Sequence, residues 1–583
     1  MKRNGSHFDQ CTGVGVPDSH VKQILKRLDI GGGQNLSQAR RFHRIQQCFS
    51  ISKLDEVEIP LLDVSKFLGQ IEERQPADLY KHLGDCLCGR AGLNCTKGFL
   101  YIDEVTPGNV IAPDNKRKSY IVYYTWLQLA KLRLDLSWIP ISVLRHDDVS
   151  KITGGLPRFM TYVISFLKEH VLDGCRIGLG FLRTTELYLV ADEGALKLCT
   201  DIKGASGLRP CCKCNVVSRA RDGLPGFASV CDSDYTKFEL STDNDVLEIM
   251  QFLEGLSRGP ASRLKEYQTL SGFNHNPHVW FLQEDLRRLL PWENITYDSM
   301  HCYFSNGICC QEIGNFYTAC LASQRVSRQN IVDFIDIGWQ SCFGSSDGAF
   351  IRNLLNEKLL KTNGDYRGDA SQTIGLFSLL AHFAETVVPE DVLQAEVKSY
   401  LALLDVVNVI LQSKIDVSCA QGLSALHSKH VELFTAAYPD CCRPKHHFPF
   451  HLQRQIEKTQ CHIDCFPMER KNKYFKRLAP NIQRLTGFST SCLFRMVERD
   501  LDRWREVDWT DKLVQPKTMR KPLDMNGITC IRGTAIKSLD RTFEIGQFLW
   551  LDDTVAYRIS SCIQESLGVS TVCFRGLSQL CIE

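Results

Sequence analysis

Apolar and polar positions alternate with different periods along this chain, and the changes of period mark its divisions. Residues 1–95 are polar and read as helix, with apolar positions at helical spacing over Val21–Leu28 and Ser37–Cys48 and a break at Gly31-Gly32-Gly33. From residue 98 the texture is that of strands. Gly98–Ile102 is apolar and aromatic, Lys118–Leu129 is rich in β-branched and aromatic residues, and Ser137–Leu144 is a third strand. Pro140 places that third strand at an edge or a bulge. Phe159–Val171 has the period of an amphipathic helix, and Thr185–Ala191 is a fourth strand. Helical periodicity then dominates, through Asp245–Leu256, Gln372–Ala384, Val392–Gln412 and Leu423–Ala437. Residues 526–583 return to short strands.

The middle strands carry an acid at two strand ends. Asp103 follows the first strand and Asp192 the fourth. The order strand, strand, strand, helix, strand matches a ribonuclease H-like sheet, in which the first and fourth strands lie side by side, so the two acids are expected to be neighbours. The expected class is a multidomain α/β protein. A ribonuclease H-like mixed sheet is interrupted by a large all-α insertion and followed by a small SH3-like β-barrel of the chromatin-reader type. The expected divisions are a helical N-terminal region (1–95), the first part of the core (96–217), a largely helical insertion (218–440), helices that complete the core (441–502), a linker (503–525) and the barrel (526–583).

Composition narrows the classes. A chain of 583 residues is too long for one core, and 44% hydrophobic with 23% charged residues is ordinary for a folded domain. No apolar run is long enough for a membrane span and no secretory pattern opens the chain, so the expectation is no membrane partner and a reducing compartment. The 26 cysteines then read as free thiols or metal ligands. A net charge of +2 confines any nucleic-acid contact to local patches.

Several clusters carry candidate chemistry. Two-metal phosphoryl-transfer sites need clustered carboxylates, because divalent ions such as Mg²⁺ take hard oxygen ligands. Asp103 and Asp192 supply two, and a third is expected further along. Glu312 is one candidate. Glu469 is another, set in a basic segment with Arg470, Lys471, Lys473, Lys476 and Arg477, which suits a carboxylate on a metal among groups that hold phosphates; a solvated charged helix face is the bland alternative. Cys211-x-x-Cys214 is half of a zinc site and needs two more ligands, or is a packed loop. Asp298-x-x-His301, placed on one helix face, is a ligand set, a proton-handling pair or a buried lock. His446, His447 and His451 fall in PKHHFPFHLQRQIEK. Cys86, Cys88 and Cys95 have no standard zinc spacing, and the cluster Arg40-Arg41-Phe42-His43-Arg44 reads as a solvated face.

Four of these segments, in this order, resemble transposases of the CACTA (En/Spm) kind and their Plavaka-like relatives. IDEVTPGN resembles the first catalytic strand, and Asp192 through KGASGLRPCCKC resembles the KG-x-n-C-x-x-C element. LPWENITYDSMHCYFSNGICCQEIG is similar to the D-x-x-H segment, and PKHHFPFHLQRQIEK with FPMERKNKYFK to the histidine-bearing helix and the F-x-x-E-R segment. The resemblance spans about residues 98–480. It implies a DDE transposase acting on double-stranded DNA, both element ends and target, as a homo-oligomer in the nucleus. It also implies Asp103, Asp192 and Glu469 as the acids for Mg²⁺ or Mn²⁺, with Glu312 in reserve, and Cys211, Cys214 and His301 in a structural role around zinc. The alternative is a catalytically inactive or domesticated derivative that only binds DNA or chromatin.

Overall fold

The computed structural model describes residues 44–72, 93–108, 113–131, 133–177, 180–218, 228–338 and 359–506, and the strands lying between 508 and 576. The predicted helix Val21–Leu28, most of the basic 40–44 cluster, Cys86, Cys88 and the loop Arg219–Pro225 lie outside the described residues. The chain divides into two compact units, one of residues 1–66, 95–175 and 182–496, the other of residues 67–94, 176–181 and 497–583. It is a mixed α/β protein.

The first unit is built on a mixed sheet. An antiparallel hairpin, β1 (Phe49–Leu54) and β2 (Val57–Leu62), precedes it, so the 1–95 region is not wholly helical as expected. β3 (Leu93–Val105), β4 (Ser119–Trp126) and β5 (Ile139–Arg145) pair antiparallel in sequence, β6 is Cys175–Ile177, and β7 (Gly180–Ala191) lies against β3. β8 (Ile295–Tyr297) pairs parallel with the end of β7. The first and fourth predicted strands are therefore sheet neighbours, in the order β5–β4–β3–β7. β4 is buried at every residue, as a strand covered on both faces must be, and its SYIVYYTW run shows no polar alternation. Pro140 sits on the terminal strand β5, where the register with β4 shifts between Val122 and Tyr123, so its missing N–H falls at an edge and a bulge.

β8 is an unforeseen addition. The sequence places residues 218–440 in a helical insertion, yet Ile295–Tyr297 belongs to the sheet. Side chains complete this short strand: Thr296 Oγ1 donates to Leu189 O, and Asn294 Nδ2 to Leu187 O, each at 3.0 Å. The Gln455 amide accepts from Tyr297 N and donates to Tyr297 O, both at 3.0 Å, and so stands in for a further strand.

Helices carry the rest of this unit. α1 (Gly155–Leu167) buries Leu156, Phe159, Met160, Val163, Ile164 and Leu167 at helical spacing. It is entered through Gly154 at φ +85°, where a Cβ would meet the His278 ring at 2.4 Å, so both conformation and space demand glycine. α2 (Glu193–Thr200) follows β7 directly, and α3 (Asp243–Ser257) opens with a capping box of Thr242 and Asp245. α4 (Ile308–Ala322), α5 (Ala370–Thr386), α6 (Gln394–Gln412) and α7 (Leu423–Ala437) form the helical block, the last three close to the predicted bounds. α8 (Leu452–Thr459), α9 (Phe466–Leu478) and α10 (Phe488–Glu506) end the helical part. Among the described residues no helix is long and apolar enough to cross a membrane.

In the second unit, strands from Asp508 to Gly576 form two antiparallel sheets of three and five strands. Residues 503–525 are not simply a linker, because α10 runs to Glu506 and strands occupy Asp508–Val514 and Leu523–Met525. Eight strands follow that helix, two of them before residue 526, where the sequence places the start of the barrel.

Candidate functional site: a carboxylate cluster and a Cys/His centre

Three elements supply Asp103 and the two acids within electrostatic reach of it. Asp103 lies inside β3, two residues before its end rather than at its tip. Asp192 follows β7 and caps α2, with Oδ1 accepting from Ala195 N at 2.6 Å, which leaves its second oxygen for other work. Glu469 is in the first turn of α9. Asn472, one turn further along α9, donates to Asp103 Oδ2 at 2.7 Å and accepts from Tyr123 OH at 2.8 Å, which ties the helix to β3 and β4. Asp103 responds to the other two: burial first, then the charges of Glu469 and Asp192, push it up to about 8, with His301 opposing.

The Asp298-x-x-His301 pair joins this cluster. Asp298 directly follows β8, and His301 sits in a π-helical turn, Met300–Phe304, rather than on a regular α-helix. Asp298 is fully buried. Its Oδ2 accepts from His301 Nδ1 at 2.6 Å and from His301 N at 2.8 Å, and its Oδ1 from Cys465 N at 2.9 Å. Burial pushes this carboxyl up, but the His301 hydrogen bond and charge outweigh it and hold it below its ordinary value. Burial pushes His301 down, yet its bond to Asp298 and the negative charges of Asp298, Asp192 and Glu469 raise it to about 9. His301 Nε2 is 3.9 Å from Glu469 Oε1. An anchored imidazolium thus faces the acids, and Asp298, His301 and Cys465 also lie close enough together to hold an ion.

The basic segment divides. Lys471 is buried, with Nζ donating to Trp138 O at 2.5 Å and to Asp135 O at 3.3 Å, so it is a structural lysine and not a phosphate contact. Arg470 is exposed and donates to Arg133 O at 2.9 Å. Lys473, Lys476 and Arg477 are exposed on the same helix.

Glu312 is elsewhere. It is fully buried on α4 and meets His430 Nε2 of α7 at 3.4 Å, not Asp103 or Asp192. Burial raises its carboxyl from an ordinary 4.5 to about 8 and lowers His430 to about 3, so the pair is neutral at neutral pH. A carboxyl raised in the fold keeps its full stability below 4.5 and loses it as pH climbs toward 8. Glu312→Gln is therefore expected to stabilise the protein by about 2–3 kcal/mol near pH 8 and by almost nothing at pH 4.5. Thermal melts of both proteins at the two pH values decide it, and an equal effect at both would show that Glu312 does not ionise on unfolding.

The Cys-x-x-Cys half-site finds its partners in the histidine segment, not in His301. Cys211, Cys214, His447 and His451 are all buried, with ligand atoms within 4.8 Å of one another. Cys214 Sγ is 3.0 Å from His447 Nε2, Cys211 Sγ is 3.2 Å from His451 Nε2, and the two Nε2 atoms are 3.2 Å apart. Ligands at ordinary zinc bond lengths in a tetrahedron lie about 3.3–3.8 Å apart, so two thiols and two imidazoles already have nearly that arrangement. Burial pushes the Cys211 thiol up, but the Cys214 thiol and the two imidazoles outweigh it and hold it well below its ordinary value. His451 is lowered by burial and is neutral, the form that binds metal. Lys213 N donates to Cys211 Sγ at 3.3 Å, and Phe238 packs edge-on against His447. This cluster can hold a metal such as zinc. His447 and His451 were visible as an H-x-x-x-H spacing in the sequence, but nothing there paired them with cysteines more than 200 residues away. Among the described residues the cysteines are free thiols.

No protein-family profile and no curated protein matches the chain.

Proposed function

We propose that this protein is a metal-dependent polynucleotidyl transferase of the DDE transposase type, with a ribonuclease H-like core, acting on double-stranded DNA in the nucleus. What supports the reading is that Asp103 and Asp192 lie near the ends of neighbouring strands and that Asp192 and Glu469, the latter from a later helix, are near enough for their charges to raise Asp103. A carboxyl such as Asp103, whose proton affinity is raised by burial and by two neighbouring acids, is a poor arrangement for stability, and such arrangements concentrate at functional sites. The three acids' oxygens are the donor set that Mg²⁺ or Mn²⁺ prefers. When bound, such ions polarise the scissile phosphodiester and stabilise charge on the attacking and leaving oxygens.

The chain's own residues do the rest. Asp103, Asp192 and Glu469 would hold the ions, and Asn472 fixes the Asp103 carboxylate against β4 through Tyr123. Asp298 buries one charge in order to present His301, which offsets the acids' repulsion at the rim of Glu469. Exposed Lys473, Lys476 and Arg477 provide phosphate contacts beside Glu469. The Cys/His centre, carrying zinc, would join the segment after α2 to the start of α8. The small strand-rich C-terminal unit is assigned a DNA- or chromatin-contacting role on the resemblance alone.

The test is cleavage of supercoiled plasmid and of element-like duplexes by purified protein. Nicking that requires Mg²⁺ or Mn²⁺ and disappears in Asp192→Asn is the expected result. DNA binding without any metal-dependent nicking would instead identify an inactive, DNA-binding derivative.

A further inference from the structure

Two thiols outside both clusters meet in the fold. Cys231 and Cys442 are more than 200 residues apart in sequence, yet the Cys442 thiol donates a hydrogen bond to Cys231 Sγ. Both residues are half-buried, whereas the proposed zinc ligands Cys211 and Cys214 are 3% and 0% exposed.

Contacts that involve no sulfur hold the two segments side by side. Ser428 Oγ of α7 donates to Ser233 O at 2.6 Å, Tyr235 stacks on Phe450 with ring centroids 6.1 Å apart, and Phe238 meets the His447 ring edge-on at 4.5 Å. Residues 231–238 therefore run along the stretch that carries the ligand histidines. Each cysteine segment is also tied down on its own side. Cys231 N donates to Ser229 Oγ at 3.2 Å, Cys441 N donates to Tyr438 O at 3.2 Å, and Gln311 Nε2 of α4 donates to Cys441 O at 2.6 Å. Two thiols placed face to face by the fold need little further chain ordering to bond.

Their chemistry is unequal. The hydrogen bond from Cys442, with a smaller one from Ser229, outweighs burial and holds Cys231 at about 7, below its ordinary 9.0. The same bond and burial push Cys442 up, so it keeps its proton. A thiolate is the nucleophile toward peroxides, and a second thiol beside it can resolve the product. We propose that Cys231 and Cys442 are a site of reversible oxidation by hydrogen peroxide, whose disulfide clasps the segment before Tyr235 to the segment that carries His447. Cys231 sulfur attacks one peroxide oxygen, the O–O bond breaks, and the leaving hydroxide takes up the Cys231 proton as water. Cys442 sulfur then attacks the sulfenic acid on Cys231; the S–S bond forms, the S–O bond breaks, and the oxygen leaves as water with the Cys442 proton. Two electrons pass from the thiols to the peroxide, and exchange with a small thiol restores them. None of this depends on DNA as the substrate.

The experiment treats the full, zinc-loaded chain with stoichiometric hydrogen peroxide, alkylates the remaining thiols and maps the digest by mass spectrometry. The expected product is a Cys231–Cys442 peptide pair that forms while zinc is still bound and disappears on reduction. Cys442→Ser should abolish the pair and leave Cys231 as a sulfenic acid that dimedone traps, whereas Cys441→Ser should leave the pair intact. Oxidised wild type should release zinc to a chelator about fivefold or more slowly than the reduced chain, because the clasp keeps the ligand-bearing segments together, and Cys442→Ser should show no such difference. Alkylation of both thiols after peroxide overturns the proposal. So does a bond through Cys441 in place of Cys442, or zinc loss with a Cys211–Cys214 bond before any Cys231–Cys442 pair. Equal zinc release from the oxidised and reduced chains overturns the clasp. A Cys231–Cys442 pair in a chain that holds no zinc would sink the zinc reading and leave the oxidation site standing.

Discussion

Asp192→Asn is expected to reduce metal-dependent DNA cleavage by about 10³-fold or more, the equivalent of several kcal/mol of transition-state stabilisation. The asparagine keeps the cap on α2, since its amide oxygen can accept from Ala195 N as Oδ1 does now. What it removes is one negative oxygen from the cluster. Stability should therefore move opposite to activity. Asp103 is raised to about 8 by burial and by the charges of Glu469 and Asp192. A carboxyl raised in the fold contributes its full stability below about 4 and loses it as pH rises toward 8. In chelator the wild-type protein should become less stable across that window, and Asp103→Asn should recover on the order of 2 kcal/mol at pH 8. Added Mg²⁺ should raise the wild-type melting temperature and leave that of Asp103→Asn nearly unchanged. If Asp192→Asn nicks DNA as fast as wild type, or if Mg²⁺ stabilises both proteins equally, the carboxylates are not the metal site.

Loss of the Cys/His centre is the second large effect. Cys214→Ser and His447→Ala should each release the metal, cost at least about 3 kcal/mol and lower the melting temperature by about 10 °C. The reason is linkage: the four buried ligand atoms, 3.0–3.6 Å apart, would be held together by the ion, and a variant that loses one of them loses the ion's binding free energy from the fold. His301→Ala is the control, because His301 belongs to the other cluster and should leave zinc content unchanged. Elemental analysis should give one zinc per chain in the wild type and none in the first two variants. Unchanged zinc and unchanged melting in Cys214→Ser would assign the cysteines to simple packing. Strong chelation should reproduce the variants' melting, since metal and fold are linked.

Local pattern carried much of this organisation. The runs of β-branched and aromatic residues marked β3, β4, β5 and β7, and helical spacing marked α5, α6 and α7 almost to their ends, because burial on one stripe or on both faces writes itself into the period. The sequence order of the strands placed Asp103 and Asp192 on neighbouring strands, as found. Other features depended on contacts that sequence spacing does not encode. Ile295–Tyr297 is three residues long, too short for any period, and is a strand only because β7 and Gln455 satisfy its backbone. Lys471 looks like its exposed neighbours in the sequence, yet the helix face that carries it turns inward onto the Trp138 carbonyl. Glu312 has the same chemistry as Glu469 but is enclosed by the helical block with His430.

By itself, then, the sequence determined the strand and helix texture and the residue types capable of chemistry: paired strand acids, a Cys-x-x-Cys and an H-x-x-x-H. The tertiary structure decided which of them meet. It joined the two cysteines to His447 and His451 rather than to His301, and gave His301 to the acids through Asp298. The physical reason is one of range. Periodicity reports which face of one element is buried, whereas a metal or catalytic cluster is assembled by packing between elements hundreds of residues apart, where a single residue's register decides whether its side chain reaches the site.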